Sequence, residues 1–233
     1  MKVIFLAYAC EPNRTSEPGV GWRLPGALTA TNEITVVTRS NNRAVIEKYL
    51  AANPEAPQCA VRYEYHDLSP ILAKAKKVLP FGAQWYQALW HGSVAREYRM
   101  RFEDYDVVHH LTFGSPFFSP HAARYARRMV WGPIGGSQGI IPWAFLRREK
   151  PLAVIRELLY WWMSRRAVNP GRNVRRLRDK CCAILFRSSD VRRAIGVCEG
   201  QRGGVVCETA YEEPVRAFLL RNVEYLSICL CHL

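Results

Sequence analysis

The sequence lacks long apolar runs and paired cysteine motifs. No apolar stretch approaches the roughly 20 residues that a membrane-spanning helix requires. Lys2 is followed by only a short apolar segment and then by charged residues, which does not resemble a secretory signal. The eight cysteines form no Cys-x-x-Cys pair, and no histidine lies at zinc-finger spacing from them. We therefore expect reduced thiols in a cytoplasmic protein, with no bound metal.

Acidic residues are also scarce. The 233 residues include 33 lysines and arginines but 20 aspartates and glutamates, for a formal net charge of +13. Such a balance favours acidic partners: nucleic acid, an anionic membrane surface or phosphorylated substrates. No known nucleic-acid-binding motif is present, and the basic residues are dispersed apart from a cluster between Arg172 and Lys180. Nucleic acid is therefore the least favoured of these partners.

Repeats and low-complexity segments are absent, and apolar strands alternate with helices instead. Strands are predicted at 2–8, 33–38, 61–66, 106–111, 129–131, 181–186 and 203–207, and helices at 21–30, 41–52, 83–102 and 151–166. Repeated units of this kind predict an α/β fold: a Rossmann-like, doubly wound, mostly parallel sheet. We expect it to occupy residues 1–200. Residues 201–233 carry no complete unit and are expected to form a truncated or irregular tail.

The first strand runs into the segment EPGVGW, which contains Gly19 and Gly21. Glycine lets the backbone approach a ligand, and exposed N–H groups at a helix start attract phosphate. The third glycine of the dinucleotide fingerprint is missing, and Arg39 stands where an acidic residue would close the second strand. Both departures argue against NAD binding. An ordinary strand-to-helix turn is the alternative.

Two later strands also end in segments of functional interest. In DVVHHLTFGS, His109 and His110 are adjacent at a strand end, so one ring should pack against a helix while the other reaches the cleft. A purely structural role for the pair stays open. In VWGPIGGS, Gly135 and Gly136 follow a strand and favour a sharply folded loop, either a tight turn or an anion nest.

Taken in order, these segments resemble the amino-terminal domain of the family 4 retaining glycosyltransferases, which have the GT-B architecture. The match runs through EPGVGW, TRSNNR, DVVHHLTFGS, VWGPIGGSQ and AILFRSSDVRRA, to about Gly196. The resemblance implies transfer of a hexose from a nucleotide-diphosphate sugar to a glycan or lipid-linked acceptor, as in polysaccharide biosynthesis. It implies no metal and no cofactor other than the donor substrate.

The resemblance also implies roles for particular residues. His110, with His109 beside it, would be catalytic and lie near the transferred sugar. Donor and acceptor contacts would come from the loops at the carboxyl ends of the strands: Gly19, Gly21, Glu17, Arg39, Asn41, Gly135 and Gly136.

The chain departs from the family where the donor-binding domain would follow. The family's Glu-x7-Glu motif is not found, and Glu208 and Glu213 are too close together to supply it. We therefore expect an incomplete glycosyltransferase without a donor-binding half. The alternative is a non-catalytic acceptor-binding or membrane-associated interaction module.

The predicted helix at 151–166 bears on partners. Trp162 belongs to its apolar stripe, Trp161 widens that stripe, and Arg165 and Arg166 follow at its end. Aromatic residues beside basic ones suit an anionic membrane surface, so these four residues are expected to make peripheral contact with the inner face of the membrane. The alternative is a core-facing helix with a solvated basic end.

Overall fold

A seven-stranded parallel sheet organises the computed structural model, which describes residues 1–78, 82–115, 118, 120–135, 151–155, 158, 177, 181–187, 189, 191–192 and 203–205. The strands are β1 (Lys2–Leu6), β2 (Glu33–Thr38), β3 (Val61–Tyr65), β4 (Val107–His110), β5 (Met129–Ile134), β6 (Cys181–Phe186) and β7 (Gly203–Val205). The helices are α1 (Ser16–Ala27), α2 (Arg43–Ala52), α3 (Pro70–Val78) and α4 (Gly82–Glu97).

The strands lie in the order β3-β2-β1-β4-β5-β6-β7, and each neighbouring pair is parallel. The chain first builds the sheet outward from β1 to β3, then returns and continues from the other side of β1. The change of direction lies between β1 and β4, where Phe5 pairs with His109 and Leu6 pairs with His110. The predicted α/β, Rossmann-like parallel sheet is confirmed.

Both faces of the sheet are covered, which is why its central strands are apolar at nearly every position. Along β1, Val3 and Phe5 belong to a core that includes Trp22 of α1 and Ile46 of α2. The alternate residues Ile4 and Leu6 belong to a second core on the opposite face, built largely on α4. This alternation follows from the two-residue repeat of a strand.

Several predicted boundaries shift. Helix α1 starts at Ser16 rather than at 21, because Glu17 and Pro18 suit a first helical turn, where proline costs no hydrogen bond. Helix α3 was not predicted; it begins at Pro70, and none of its residues is fully buried. Strand β7 pairs with β6, so the sheet extends past residue 200, where the predicted domain ends.

Across the described part of the chain, no helix combines the length and hydropathy needed to cross a membrane. Of the helix predicted at 151–166, residues 151–155 are helical, and Leu152 is 81% exposed. Trp161, Trp162, Arg165 and Arg166 lie outside the described residues.

Candidate functional site

The change of direction between β1 and β4 marks the region at the carboxyl ends of these strands where open α/β sheets usually bind ligands. We call it the switch-point crevice. It is bordered by the loop after β1 (7–15), the first turn of α1, the loop after β4 (111–115) and the ends of β2, β5 and β6. The sequence-predicted site residues that the structure describes lie on these elements or directly beside them.

Glu17 ties three sides of the crevice together. One carboxylate oxygen, Oε2, accepts a hydrogen bond from the backbone N–H of Phe113, with 2.6 Å between N and O. The other, Oε1, accepts from Nη2 of Arg187 at 2.9 Å. Its position in the first turn of α1 also suits a negative charge, because the helix dipole is positive there. Glu17 therefore fixes the loop after β4 and the end of β6 relative to α1.

Arg39 follows β2 and leans over the end of β1. Its Nε donates to the backbone oxygen of Tyr8 at 2.9 Å, and its guanidinium carbon lies 4.1 Å from the centre of the Tyr8 ring. The Tyr8 ring makes edge contacts with Trp90 of α4, at 5.5 Å between centroids, and with Phe113, at 5.2 Å. Because Phe113 is 36% exposed, this aromatic group extends to the surface of the crevice.

A second cation, missed by the sequence reasoning, lies beside the first. Lys76 of α3 places its ammonium nitrogen 4.5 Å from the centre of the Tyr86 ring, and that ring lies 6.3 Å from the ring of Tyr8. Burial, followed by the charges of Arg39 and Lys77, lowers the pKa of Lys76. The lysines of PILAKAKKV were the available signal, but they carry meaning only once α3 is known to pack beside α4.

The two strand-end histidines occupy opposite faces of the sheet. His109 is 1% exposed; its Nε2 donates to the backbone oxygen of Gly132 at 2.9 Å, and its ring lies 5.1 Å from that of Phe5. His110 is 5% exposed and stacks on His91 of α4, with 3.9 Å between ring centroids. The expectation that one ring reaches the cleft is wrong for this structure, because both faces are covered to the end of β4.

Both histidines are held neutral. Burial lowers the pKa of His109 to about 4, although its hydrogen bond to Gly132 acts in the opposite direction. Burial and then the nearby His109 and His121 lower the pKa of His110 to about 3. At neutral pH a buried imidazole of this kind can donate one hydrogen bond and accept one, but it supplies no positive charge.

The glycines serve close packing. Gly19 and Gly21 lie within α1 rather than in the preceding loop. A Cβ on Gly21 would come within 2.0 Å of the backbone oxygen of Ala9, so only glycine lets α1 pack against the loop after β1. A Cβ on Gly135 would meet the Arg187 side chain at 2.6 Å. Gly135 thus packs closely against Arg187, while Gly136 falls outside the described residues.

Asn41 lies in a 3₁₀ turn directly after Arg39. It is exposed, and its Nδ2 donates to Oδ1 of Asn42 at 3.0 Å. Asn42 in turn is buried and donates to Oγ1 of Thr38 at 2.8 Å. Asn42 therefore anchors the turn, and Asn41 remains on the surface beside the crevice.

Within the described residues, no group of three or more histidine, cysteine, aspartate or glutamate side chains could hold a metal ion. Four cysteines of the described part are free thiols: Cys10, Cys59, Cys181 and Cys182. Burial raises the pKa of the Cys181 thiol to about 12, and it also raises that of Cys10. Neither of these two buried thiols is therefore a thiolate at neutral pH.

Comparisons of the chain with protein-family models, curated proteins and solved structures find no match. The crevice itself offers a partly buried carboxylate that fixes its walls, two cations on aromatic rings, and an exposed phenyl ring at its edge.

Proposed function

We propose that the chain is the acceptor-side domain of a retaining, nucleotide-sugar-dependent glycosyltransferase. In this proposal it binds a glycan or lipid-linked acceptor to which a hexose is transferred from a nucleotide-diphosphate donor, in the cytoplasm and at the inner face of the membrane. The single observation that carries it is the pair of cations, Arg39 and Lys76, held on the rings of Tyr8 and Tyr86 beside the change of strand direction.

The chemistry of these residues suits such ligands. Aromatic rings offer flat apolar faces to the C–H surfaces of sugars, and Phe113 presents such a ring at the crevice edge. A guanidinium donates to hydroxyl groups and binds phosphate oxygens, and an ammonium adds a point charge. Fixed positive groups of this kind also stabilise the charge that develops on a diphosphate leaving group, without a step that requires a metal.

The histidines take a different role in this proposal from the one the resemblance implied. Because His109 and His110 are buried and neutral, they act as positioning residues for the loop that carries Phe113. Glu17 does the same from the opposite wall through its bond to the Phe113 amide. Orientation of bound reactants by such a fixed wall is itself a large part of enzymatic rate enhancement.

The test is acceptor binding by the full 233-residue chain, measured by ligand-observed NMR with a panel of glycans and polyprenyl-phosphate-linked sugars. Arg39→Ala is expected to weaken binding by about tenfold, the effect of losing one charge-assisted contact. Arg43→Ala is the matched control, because its guanidinium also lies over a tyrosine, 4.4 Å from the ring centre of Tyr65, but outside the crevice.

A second pair of variants covers the case in which Arg39→Ala perturbs folding. Lys76→Ala should weaken binding of the same ligand. Lys74→Ala, which removes an exposed lysine of the same helix, should leave binding unchanged. If both crevice variants bind every panel member as well as the wild type does, the proposal fails. Acceptor binding that both crevice variants weaken and both control variants retain supports the proposal.

A further inference from the structure

A cavity lies away from the switch-point crevice, between α4 and the 3₁₀ turn His121–Arg124. We call it the α4 pocket. It has a volume of about 260 Å³, and its walls include Gly92 and Arg96 from α4, and His121, Arg124 and Tyr125 from the turn. Small-molecule pockets commonly span roughly 300–1,000 Å³, so this one suits a small group rather than a whole nucleotide.

The walls of the α4 pocket are basic. None of its eight lining residues is acidic, and two of them are arginines on facing elements. The ion pairs formed among the described residues all involve other cations. Arg96 and Arg124 therefore line the cavity as exposed side chains that have no carboxylate partner in the described part of the chain. Their N–H donors are available to an anion.

The imidazole of His121 forms the third polar group. It packs against the helix backbone where α4 has no side chain: a Cβ on Gly92 would lie 3.5 Å from its Cδ2 and 3.6 Å from its Nε2. Burial, followed by the charges of Arg124 and Arg96, lowers the pKa of His121, so both guanidinium groups act on this ring. An anion bound among the three would relieve that repulsion.

We propose that the α4 pocket binds a phosphate monoester. A dianionic phosphate offers three acceptor oxygens, which matches two guanidinium groups and one imidazole better than a carboxylate with two oxygens does. Two sources share this chemistry: a soluble phosphorylated metabolite and the headgroup of a phosphatidate-type lipid. The inference is independent of the proposed function, because the pocket shares no residue with the switch-point crevice.

The test uses the full chain and two probes. Binding of glycerol phosphate is measured by calorimetry and by the NMR shift of the His121 imidazole. Binding to phosphatidylcholine vesicles with and without phosphatidic acid is measured by co-sedimentation. The pocket variant is Arg96→Ala with Arg124→Ala. Its control is Arg99→Ala with Arg127→Ala, which removes the same charge from two exposed arginines, each three positions along the chain.

We expect the pocket variant to lose about tenfold or more in affinity for at least one probe, and the control to stay within about twofold of the wild type. Gly92→Leu, which fills the cavity and leaves the net charge unchanged, should cause a similar loss. Loss with glycerol phosphate identifies a soluble ligand, and loss confined to phosphatidate vesicles identifies a lipid headgroup. If both double variants lose affinity equally, or if neither probe binds the wild type, the proposal is overturned, and the basicity of the pocket is only part of the general charge.

Discussion

Lowering the pH from about 7 to about 5 should destabilise the protein, because its strand-end histidines are buried as neutral rings. Burial lowers the pKa of His109 to about 4 and that of His110 to about 3, and it also lowers that of His91. In the unfolded chain a histidine titrates near pH ~6.5. Between roughly pH 6.5 and pH 4 the unfolded state therefore binds more protons. Stability is full above that window and falls with pH inside it.

The size of the effect follows from the same pKa values. Each such histidine costs up to about 1.4 kcal/mol of stability per pH unit below its unfolded pKa. By about pH 5, His109 and His110 together should remove about 4 kcal/mol, against a total of about 5–15 kcal/mol for a typical domain. Most carboxylates titrate near pH ~4 and contribute little in this range, so the histidines dominate.

The assay is urea unfolding at several pH values between about 7 and about 5, followed by circular dichroism. His110→Phe keeps a flat ring against His91, from which the present ring lies 3.9 Å away, and removes one titrating group. Its free energy of unfolding should fall less steeply with pH, by about one proton. Arg43→Ala should keep the wild-type slope. A wild-type stability independent of pH, or a slope unchanged in His110→Phe, would refute the burial of a neutral pair.

Two further substitutions test the packing. Gly21→Ala places a Cβ 2.0 Å from the backbone oxygen of Ala9 and should lower stability by about 1–3 kcal/mol, seen as a lower Tm. Gly92→Ala, whose Cβ would meet His121 at an ordinary contact distance of 3.5 Å, should not. Glu64→Gln removes the negative charge of a carboxylate that accepts hydrogen bonds from Nη1 and Nη2 of Arg101, each at 2.7 Å. Because the Arg101 side chain is 41% exposed, the loss of folding stability should be only about 1–2 kcal/mol. Arg101 holds the pKa of Glu64 below its usual value, so the wild-type advantage should be present above about pH 4.5 and disappear as the pH falls. Equal stability of Glu64→Gln and wild type at neutral pH would contradict this account.

The strands were the most predictable part of the fold. The runs EITVVT and CCAILF match β2 and β6 from first residue to last, because a strand covered on both faces is rich in apolar and β-branched residues. Helix α3 was missed because it is short. Its apolar residues do recur at helical spacing, but it has only nine residues, fewer than the window over which such a pattern identifies a helix.

The candidate site was predictable in its location but not in its contacts. The positions of Glu17, Arg39 and the two histidines at strand ends follow from the alternation of strands and helices. Which partners those side chains meet depends on elements far along the chain, such as Arg187, which is 170 residues from Glu17. Likewise, the alternation along β4 predicted opposite faces for His109 and His110, but not that the ring of His91 closes one of them.

The central position of β1 has a consequence for biosynthesis. One edge of β1 pairs with β2, the next strand to be synthesised. The other edge, from Val3 to Leu6, pairs with β4, which is synthesised only after β3. At about 5–20 residues per second, the ribosome needs roughly 2–8 s to add the chain between the end of β3 and the start of β4. During that interval the nascent βαβαβ unit presents an unpaired, apolar strand edge, the kind of surface on which neighbouring chains aggregate. Chaperone capture of nascent chains should therefore begin once β3 emerges, and the exposed edge should move from β1 to β4 and then to β5 as each strand joins the sheet.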